Sequence, residues 1–474
     1  YNGNQSTIPV IKKVSKSPNN PVSGIGVVVK ASFDGFENYA NTLTVNLEYQ
    51  PMSAGNYIAK SDAAYQTNWT SVTMLDNSLG ADSLASDGIY TTTIPSSVQV
   101  HRNLIRYRIK VTTTNGYSKI YPDQNHTESN YAYYVYNGDA NFNGYSFSNL
   151  NPLQDLTIVT KASIASQYIG NGTNNTTQYL GYDYLGEGTL VYDGKVYDHI
   201  RFRPRGKTRT IRTKPGLKFD LNDEHKIEVI NDCGKAYKTK RDKLVLSGTW
   251  VNDAFSHGLV ESLVYKILEL TKGVFKYCDY TSLRIVDRGQ ETGNNGDFWG
   301  LYLIQEEYDG ELLEEHNLPD GNIWSTYDPD GAPRFMYVDS YGDFPGAKNQ
   351  NSWFSTVGSS SLQSTPVVST LDTRTFYGDR VGNEIWANGE FNYVGKHSYR
   401  EYYNPTTNLW MGWCKDYDGA FGSGNNVQAV STTNNFNYNA TVTHPMVIPN
   451  SIQREYEGYL RSAYDLLLNQ QQSN

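Results

Sequence analysis

Short runs of β-branched and aromatic residues, cut by Asp-Gly and Asn-Gly pairs, fill the first 145 or so residues, and this texture most constrains the fold. GIGVVVKASF, TLTVNLEYQP, GIYTTTIP, LIRYRIKVTTTNGY and NYAYYVYNG have strand length and strand composition. Turn signals at Asp34-Gly35, Asp87-Gly88, Asn115-Gly116 and Asn137-Gly138 separate them. In RYRIKV the alternation puts Tyr107, Ile109 and Val111 on one face and the charges on the other, as a half-buried antiparallel strand requires. The pattern predicts an all-β sandwich of immunoglobulin or fibronectin type over residues 1–147.

At 474 residues the chain exceeds one ordinary core, so a second domain is expected over residues 148–474. Charged residues are only 19% of the chain and Tyr, Asn, Gly, Ser and Thr abound, which suits a secreted or envelope-associated β-rich protein. No run of about eighteen apolar residues is present, so no membrane-spanning helix is expected. The opening YNGNQSTIPV lacks a charged n-region and an apolar h-region, so no signal peptide is expected within this chain. Cys233, Cys278 and Cys414 cannot all pair and form no C-x-x-C, which argues against a disulfide framework or a structural zinc site. The net charge of −9 argues against nucleic-acid binding.

Beyond residue 150 the texture changes. GTLVYDGKVYDHIRFRPRG reads as a hairpin turning on Asp193-Gly194, and YTSLRIVD and FWGLYLIQEEYD read as two strands. Between them SHGLVESLVYKILELTKG predicts a helix, with Ser256 as N-cap, Gly273 as stop and Leu259, Leu263, Ile267 and Leu270 as its core positions. Residues 320–375 offer little regular structure, and IPNSIQREYEGYLRSAYDLLLNQ predicts a terminal helix.

Three places carry candidate chemistry in this second region. Residues 201–214 hold seven Arg or Lys and no acid, with Arg201, Arg203, Arg205, Lys207 and Arg209 at every second position. Pro204 and Gly206 break the strand, so a glycine turn flanked by cations, followed by Lys214, has the makings of a phosphate clamp; a solvated cationic strand is the plainer reading. In KDYDGAFG, Asp416 and Asp418 at i and i+2 can chelate Mg²⁺ while leaving positions open for phosphate and water, although Asp-x-Asp-Gly is also a common surface turn. Glu261, within the predicted helix, can pair with a lysine from an adjacent strand. In the sandwich, Asp76, Asp82 and Asp87 could hold Ca²⁺, but the EF-hand spacing is absent and turn formation explains them better.

Glycine turn, lysine, helical glutamate, two strands and an Asp-bearing strand end is the order of working parts in a protein kinase. With VYDGKVYDHIRFRPRGKTRTIRTKPGLKFDLN, HGLVESLVYKILEL, FWGLYLIQEEYD and YREYYNPTTNLWMGWCKDYDGAFG, residues from about 150 onward resemble the CotH family, the spore-coat-protein-H-like atypical secretory kinases. The resemblance implies an α+β kinase-like domain that binds ATP with Mg²⁺ or Mn²⁺ and phosphorylates Ser or Thr of a protein acceptor. It puts Arg205 and Gly206 in the phosphate-facing turn, Lys214 on the nucleotide, Glu261 beside that lysine, Glu306 and Glu307 near adenine, and Asp416 on the metal, with Asp418 next to it. The chain departs from the family where a catalytic Asp should precede a metal-binding Asn. Here Asn392 or Tyr393 holds the first position and His397 or Ser398 the second, with Glu390 or His397 as the replacements at hand. A pseudokinase or surface-interaction protein is therefore the competing expectation, and a polysaccharide-binding protein, from the aromatic content, a weaker one.

Overall fold

A computed structural model describes residues 10–34, 43–114, 116–123, 129–138, 154–169, 183–205, 214–231, 233–248, 259–270, 274–289, 297–325, 334–337, 372 and 399–414. Contacts divide the chain into two compact units, Tyr1–Gly234 with Thr281–Leu301, and Lys235–Tyr280 with Tyr302–Asn474.

Strands β1 (Ile11–Ser17), β2 (Val27–Phe33), β3 (Leu43–Met52), β4 (Thr70–Thr73), β5 (Ile89–Ile94), β6 (Leu104–Thr113), β7 (Ser118–Tyr121) and β8 (Tyr131–Tyr134) open the chain, with a short helix α1 (Ala63–Thr67) between β3 and β4. They form two antiparallel sheets, β1-β2-β5 and β4-β3-β6-β7, with β8 added on β6. Val27, Val29 and Ala31 of the first sheet meet Val45, Leu47, Ile109 and Val111 of the second in one core. This is the expected two-sheet sandwich, and the period of two in β6 places Tyr107, Ile109 and Val111 inside.

The other face of β6 departs from expectation. Arg106 has no exposed surface, and the Arg108 side chain is 12% exposed, paired with Glu48 at 2.7 Å and lying 4.1 Å over the Trp69 ring. Arg106 and Arg108 are covered rather than solvated, while Lys110, further along the same face, stays 41% exposed. A second apolar cluster explains the cover: Met52, Ala54, Tyr57, Leu104 and Tyr134 of the sandwich pack with Val159, Val191 and Val286 from downstream strands.

Those strands are β9 (Gln154–Val159), β10 (Gly186–Tyr192), β11 (Lys195–Arg205), β12 (Gly216–Asp220), β13 (Lys243–Ser247), β14 (Cys278–Val286) and β15 (Phe298–Gln305). They close a barrel in the order β10-β11-β12-β13-β15-β14-β9. β10 and β11 form the predicted hairpin, pairing Tyr192 with Lys195 around Asp193 (φ 49°) and Gly194 (φ 72°), the two positive-φ residues of a tight hairpin turn. Helices α2 (Ala162–Tyr168), α3 (Leu259–Leu270) and α4 (Gly310–Glu315) fall after β9, β13 and β15 in the chain. Asp309 caps α4 by accepting from Glu311 N at 3.1 Å and Leu312 N at 3.3 Å.

Helix α3 forms where the sequence predicts it, with one expected core position, Leu263, facing out; the side chains of Leu259, Ile267 and Leu270 lie outside the described residues. Glu261, Ser262, Val264, Tyr265 and Leu268 are buried, whereas Leu263, expected in the core, is 43% exposed. Ser256 and Gly273, its expected cap and stop, lie outside the described residues. A last sheet, β17-β16-β18-β19, combines β16 (Ile323–Ser325), β17 (Arg334–Tyr337), β18 (Tyr399–Asn404) and β19 (Leu409–Cys414). Two of these strands fall in the stretch expected to lack regular structure. Tyr402 and Trp413 stack with centroids 6.0 Å apart, and the buried Trp324 lies 5.1 Å from Trp410. Where the family resemblance implies an α+β domain, the described residues are dominated by strands: a barrel and a four-stranded sheet with short helices. The terminal helix lies outside the described residues.

Candidate functional site

The cation-rich strand does not present its arginines uniformly. Arg201 is exposed and paired with Asp220 of the neighbouring strand β12 at 2.5 Å. Arg203 is buried, its guanidinium 5.1 Å from the Tyr184 ring centroid. Arg205, at the end of β11, is half-buried, and Gly206 lies outside the described residues. Chain continuity brings the far side of the turn back at Lys214, two residues before β12. The Lys214 ammonium donates to the carbonyl of Leu301 on β15. Gly300 makes room for it: a Cβ there would lie 3.2 Å from Lys214 Cε and 3.4 Å from Nζ, and the glycine φ is +133°. Burial pushes the Lys214 pKa down to about 8, so the site holds an ammonium short of solvation, one that an incoming anion would stabilise.

In the second unit, Glu261 is 5% exposed and accepts from Ser247 Oγ at 3.3 Å. It sits in the first turn of α3, where the helix dipole favours a carboxylate. The neighbouring Cys278 thiol has its pKa pushed up by burial and then by the Glu261 charge. Lys276, buried in the same unit, donates to Gln305 Oε1 at 3.0 Å and lies 4.7 Å from the Tyr265 ring centroid.

Glu306 has a structural commitment that the resemblance does not anticipate. Its Oε1 takes the Arg241 guanidinium, while Oε2 accepts from Tyr277 N at 2.7 Å and pairs with His316 Nε2 at 2.8 Å. Burial alone would raise its pKa, but Arg241 and His316 together hold the carboxyl below the usual range. Arg241 also faces Glu315 Oε2 at 3.9 Å. With both oxygens engaged, the Glu306 side chain braces the end of β15 and α4. Glu307, half-buried, accepts from its neighbour Tyr308 N at 3.4 Å. Asn392, His397, Asp416 and Asp418 lie outside the described residues.

The carboxylate oxygens of Asp76, Asp82 and Asp87 lie within 4.8 Å of one another. They are used by the loop itself: Asp82 accepts from Asn77 N at 2.7 Å and Ser78 N at 2.6 Å, and Asp76 from Asp87 N and Gly88 N, both at 3.1 Å. Asp87 in turn accepts from Ile89 N at 2.9 Å, so each of the three carboxylates takes a backbone donor of the loop, as turn formers do. Cys233 is exposed and Cys278 buried, both free. Among the described residues no helix is long and apolar enough to cross a membrane.

One polar cluster escaped sequence reading altogether. The Arg106 guanidinium grips Asp198 of β11 with Nε–Oδ2 2.6 Å and Nη2–Oδ1 3.0 Å, and donates to Ile58 O at 2.6 Å. Thr189 Oγ1 at 2.5 Å and Asn130 Nδ2 at 2.9 Å also donate to Asp198. Burial opposes ionisation of Asp198, but Arg106, by its charge and its hydrogen bonds, overcomes it and holds the pKa far below the usual carboxylate range. A β-bulge creates the arrangement: the single residue Thr189 of β10 stands between Gly188↔Ile200 and Leu190↔Tyr197, opposite both Asp198 and His199. His199 takes the strain, with φ 55°.

His199 is neutral here and its tautomer follows from its neighbours. Asn130 Oδ1 accepts from Tyr65 OH at 2.7 Å and faces His199 Nε2 at 2.8 Å, while Asn130 Nδ2 is occupied as a donor, so Nε2 carries the proton. Burial lowers the His199 pKa to about 4 against the partial opposition of Asp198. An unfolded histidine binds its proton near 6.5, so the folded state loses stability as pH falls from about 6.5 through about 4. The loss should reach about 3 kcal/mol. Urea unfolding across that window should show it, and His199→Asn, which tolerates positive φ and does not titrate there, should flatten the slope; an unchanged slope would count against a neutral buried His199.

No family model and no curated protein matches the chain. A search of solved structures finds uncharacterized protein lmo2446 from Listeria monocytogenes EGD-e in two crystal structures. The first, in complex with α-D-glucose, β-D-glucose, magnesium and calcium, matches with 11% identity and a TM-score of 0.17, covering 50% of this chain. The second matches with 11% identity and a TM-score of 0.16 over 51% of this chain. This chain spans 16% of the length of that protein, and a superposition at this level does not establish a common fold.

Proposed function

We propose that this chain is a CotH-type kinase-like protein that binds Mg-ATP and transfers the γ-phosphoryl group to Ser or Thr of a protein acceptor outside the cytoplasm. The observation that carries the reading is Lys214, a lysine desolvated to a pKa of about 8 directly after a cation-rich glycine turn. A phosphate arriving there replaces lost hydration with charge pairing, which is what a nucleotide lysine needs. The element order is consistent with it: β11, turn, Lys214, β12, β13, then Glu261 on α3, then β14 and β15. Asp416 and Asp418 are the metal-binding carboxylates in this reading, and Arg205 and Gly206 the phosphate-facing turn.

A second reading, a pseudokinase that binds nucleotide without turnover, is favoured by one feature: Asn392 or Tyr393 occupies the position of the expected catalytic aspartate. Phosphoryl transfer rests mainly on positioning and electrostatics, so loss of that base lowers the rate without removing the binding site. The test is incorporation of radiolabelled phosphate from ATP into the protein itself or a generic Ser/Thr acceptor. The kinase reading predicts incorporation by wild type. Incorporation by Asn392→Asp alone would instead establish the pseudokinase, and none by either, with no nucleotide binding, would end both.

A further inference from the structure

The turn between β14 and β15 is held from the sandwich by two independent contacts. Arg102, just before β6, is buried and sits at φ +71°, a left-handed backbone that costs a non-glycine residue about 1–2 kcal/mol. Its side chain accounts for its presence there. Nε and Nη2 clasp Asp297 Oδ2 and Oδ1 at 2.5 and 2.6 Å, Nη2 also donates to Arg288 O at 3.0 Å, and Nη1 to Gly289 O at 3.1 Å. One guanidinium therefore ties the exit of β14 to the entry of β15, in the bidentate geometry that only arginine offers. The second contact is Gly55 (φ +83°), whose backbone presses so closely on the same turn that a Cβ would lie 2.6 Å from Gly289 N.

Three residues beyond Asp297, β15 carries Gly300 and Leu301, the glycine that admits the Lys214 side chain and the carbonyl that receives its ammonium. Between Asp297 and Gly300 there is one short extended segment, Asp297 O also accepting from Ile285 N at 2.9 Å. The position of the lysine's seat along β15 is thus set by the clasp at the strand's start.

We propose that Arg102 is a positioning residue for the Lys214 site, so that the sandwich is a working part of the phosphate-binding apparatus and not a detachable spacer. The phosphate role rests on the nucleotide reading above; the seating of Lys214 does not. The test is the rate at which an amine-acetylating reagent modifies Lys214, followed by mass spectrometry in the full chain, with buried Lys276 as internal reference. Arg102→Met should raise the Lys214 rate about tenfold and leave Lys276 unchanged. Asp297→Asn, a milder change that keeps the side-chain volume, should act in the same direction if Arg102→Met fails to fold. An unchanged Lys214 rate, or one that rises in step with Lys276, overturns the proposal. Mg-ATP titration separates the two claims: where wild type binds, Arg102→Met should bind about tenfold more weakly, and equal binding overturns the positioning role. Where wild type does not bind, the nucleotide reading fails and the acetylation rates alone decide.

Discussion

Arg106→Leu should destabilise the first unit by about 3–5 kcal/mol at pH 7, read as a lower urea midpoint for the transition that reports the sandwich. The expected size comes from what the substitution leaves behind. The Asp198 side chain is only 8% exposed, and Arg106 is the permanently charged cation paired with it. Thr189, Asn130 and the His199 backbone N–H would still donate to it, at 2.5, 2.9 and 2.9 Å, but hydrogen bonds alone do not repay the desolvation of a carboxylate. The variant escapes part of the cost by taking up a proton, so its deficit should shrink toward acid pH. The sign agrees with the native carboxyl: its pKa is depressed, so its contribution is complete above the ordinary carboxylate range and fades as pH falls below it. Pairing Arg106→Leu with Asp198→Leu should recover most of the loss, because a buried ion pair replaced by apolar groups is often near neutral. A single-variant loss below about 1 kcal/mol would mean that the pair is solvated and that the sandwich is not locked to β11.

The same pair marks the limit of what the sequence could convey. Period-two alternation in LIRYRIKV correctly placed Tyr107, Ile109 and Val111 in the sandwich core, because that face is decided locally. It could not reveal what covers the other face. Asp198 lies 92 positions downstream, at a bulge that no window of alternating residues registers. Helix α3 teaches a related lesson. Its extent was readable from Leu and Ile spacing, yet the buried face carries Glu261 and leaves Leu263 outside. A glutamate is buried only when the surrounding structure supplies donors, here Ser247 Oγ, and spacing rules carry no knowledge of them.

The candidate site was legible in the same uneven way. Lys214 stood out through its place after the cationic turn, while the groups it sits against, Gly300 and the Leu301 carbonyl, are 86 and 87 residues away in sequence. The family resemblance implies that Glu306 lies near adenine, whereas Arg241, His316 and the Tyr277 amide consume both its oxygens. No local signal links these four.

The most direct measurement of the account's central claim is calorimetric titration of Mg-ATP into wild type and Lys214→Met at pH 7 and pH 9. A lysine with a pKa of about 8 is mostly charged at pH 7 and mostly neutral at pH 9. Binding that needs the ammonium should therefore weaken about tenfold between the two. Removing the ammonium should cost about 3 kcal/mol at pH 7, roughly a hundredfold in affinity, the scale on which one partner of a desolvated charge pair acts. The Lys214→Met variant should also lose the step between pH 7 and pH 9. Binding by wild type that is equally tight at both pH values, and equally tight in Lys214→Met, would contradict the assignment of Lys214 to the phosphates; no binding at all would contradict the nucleotide site itself.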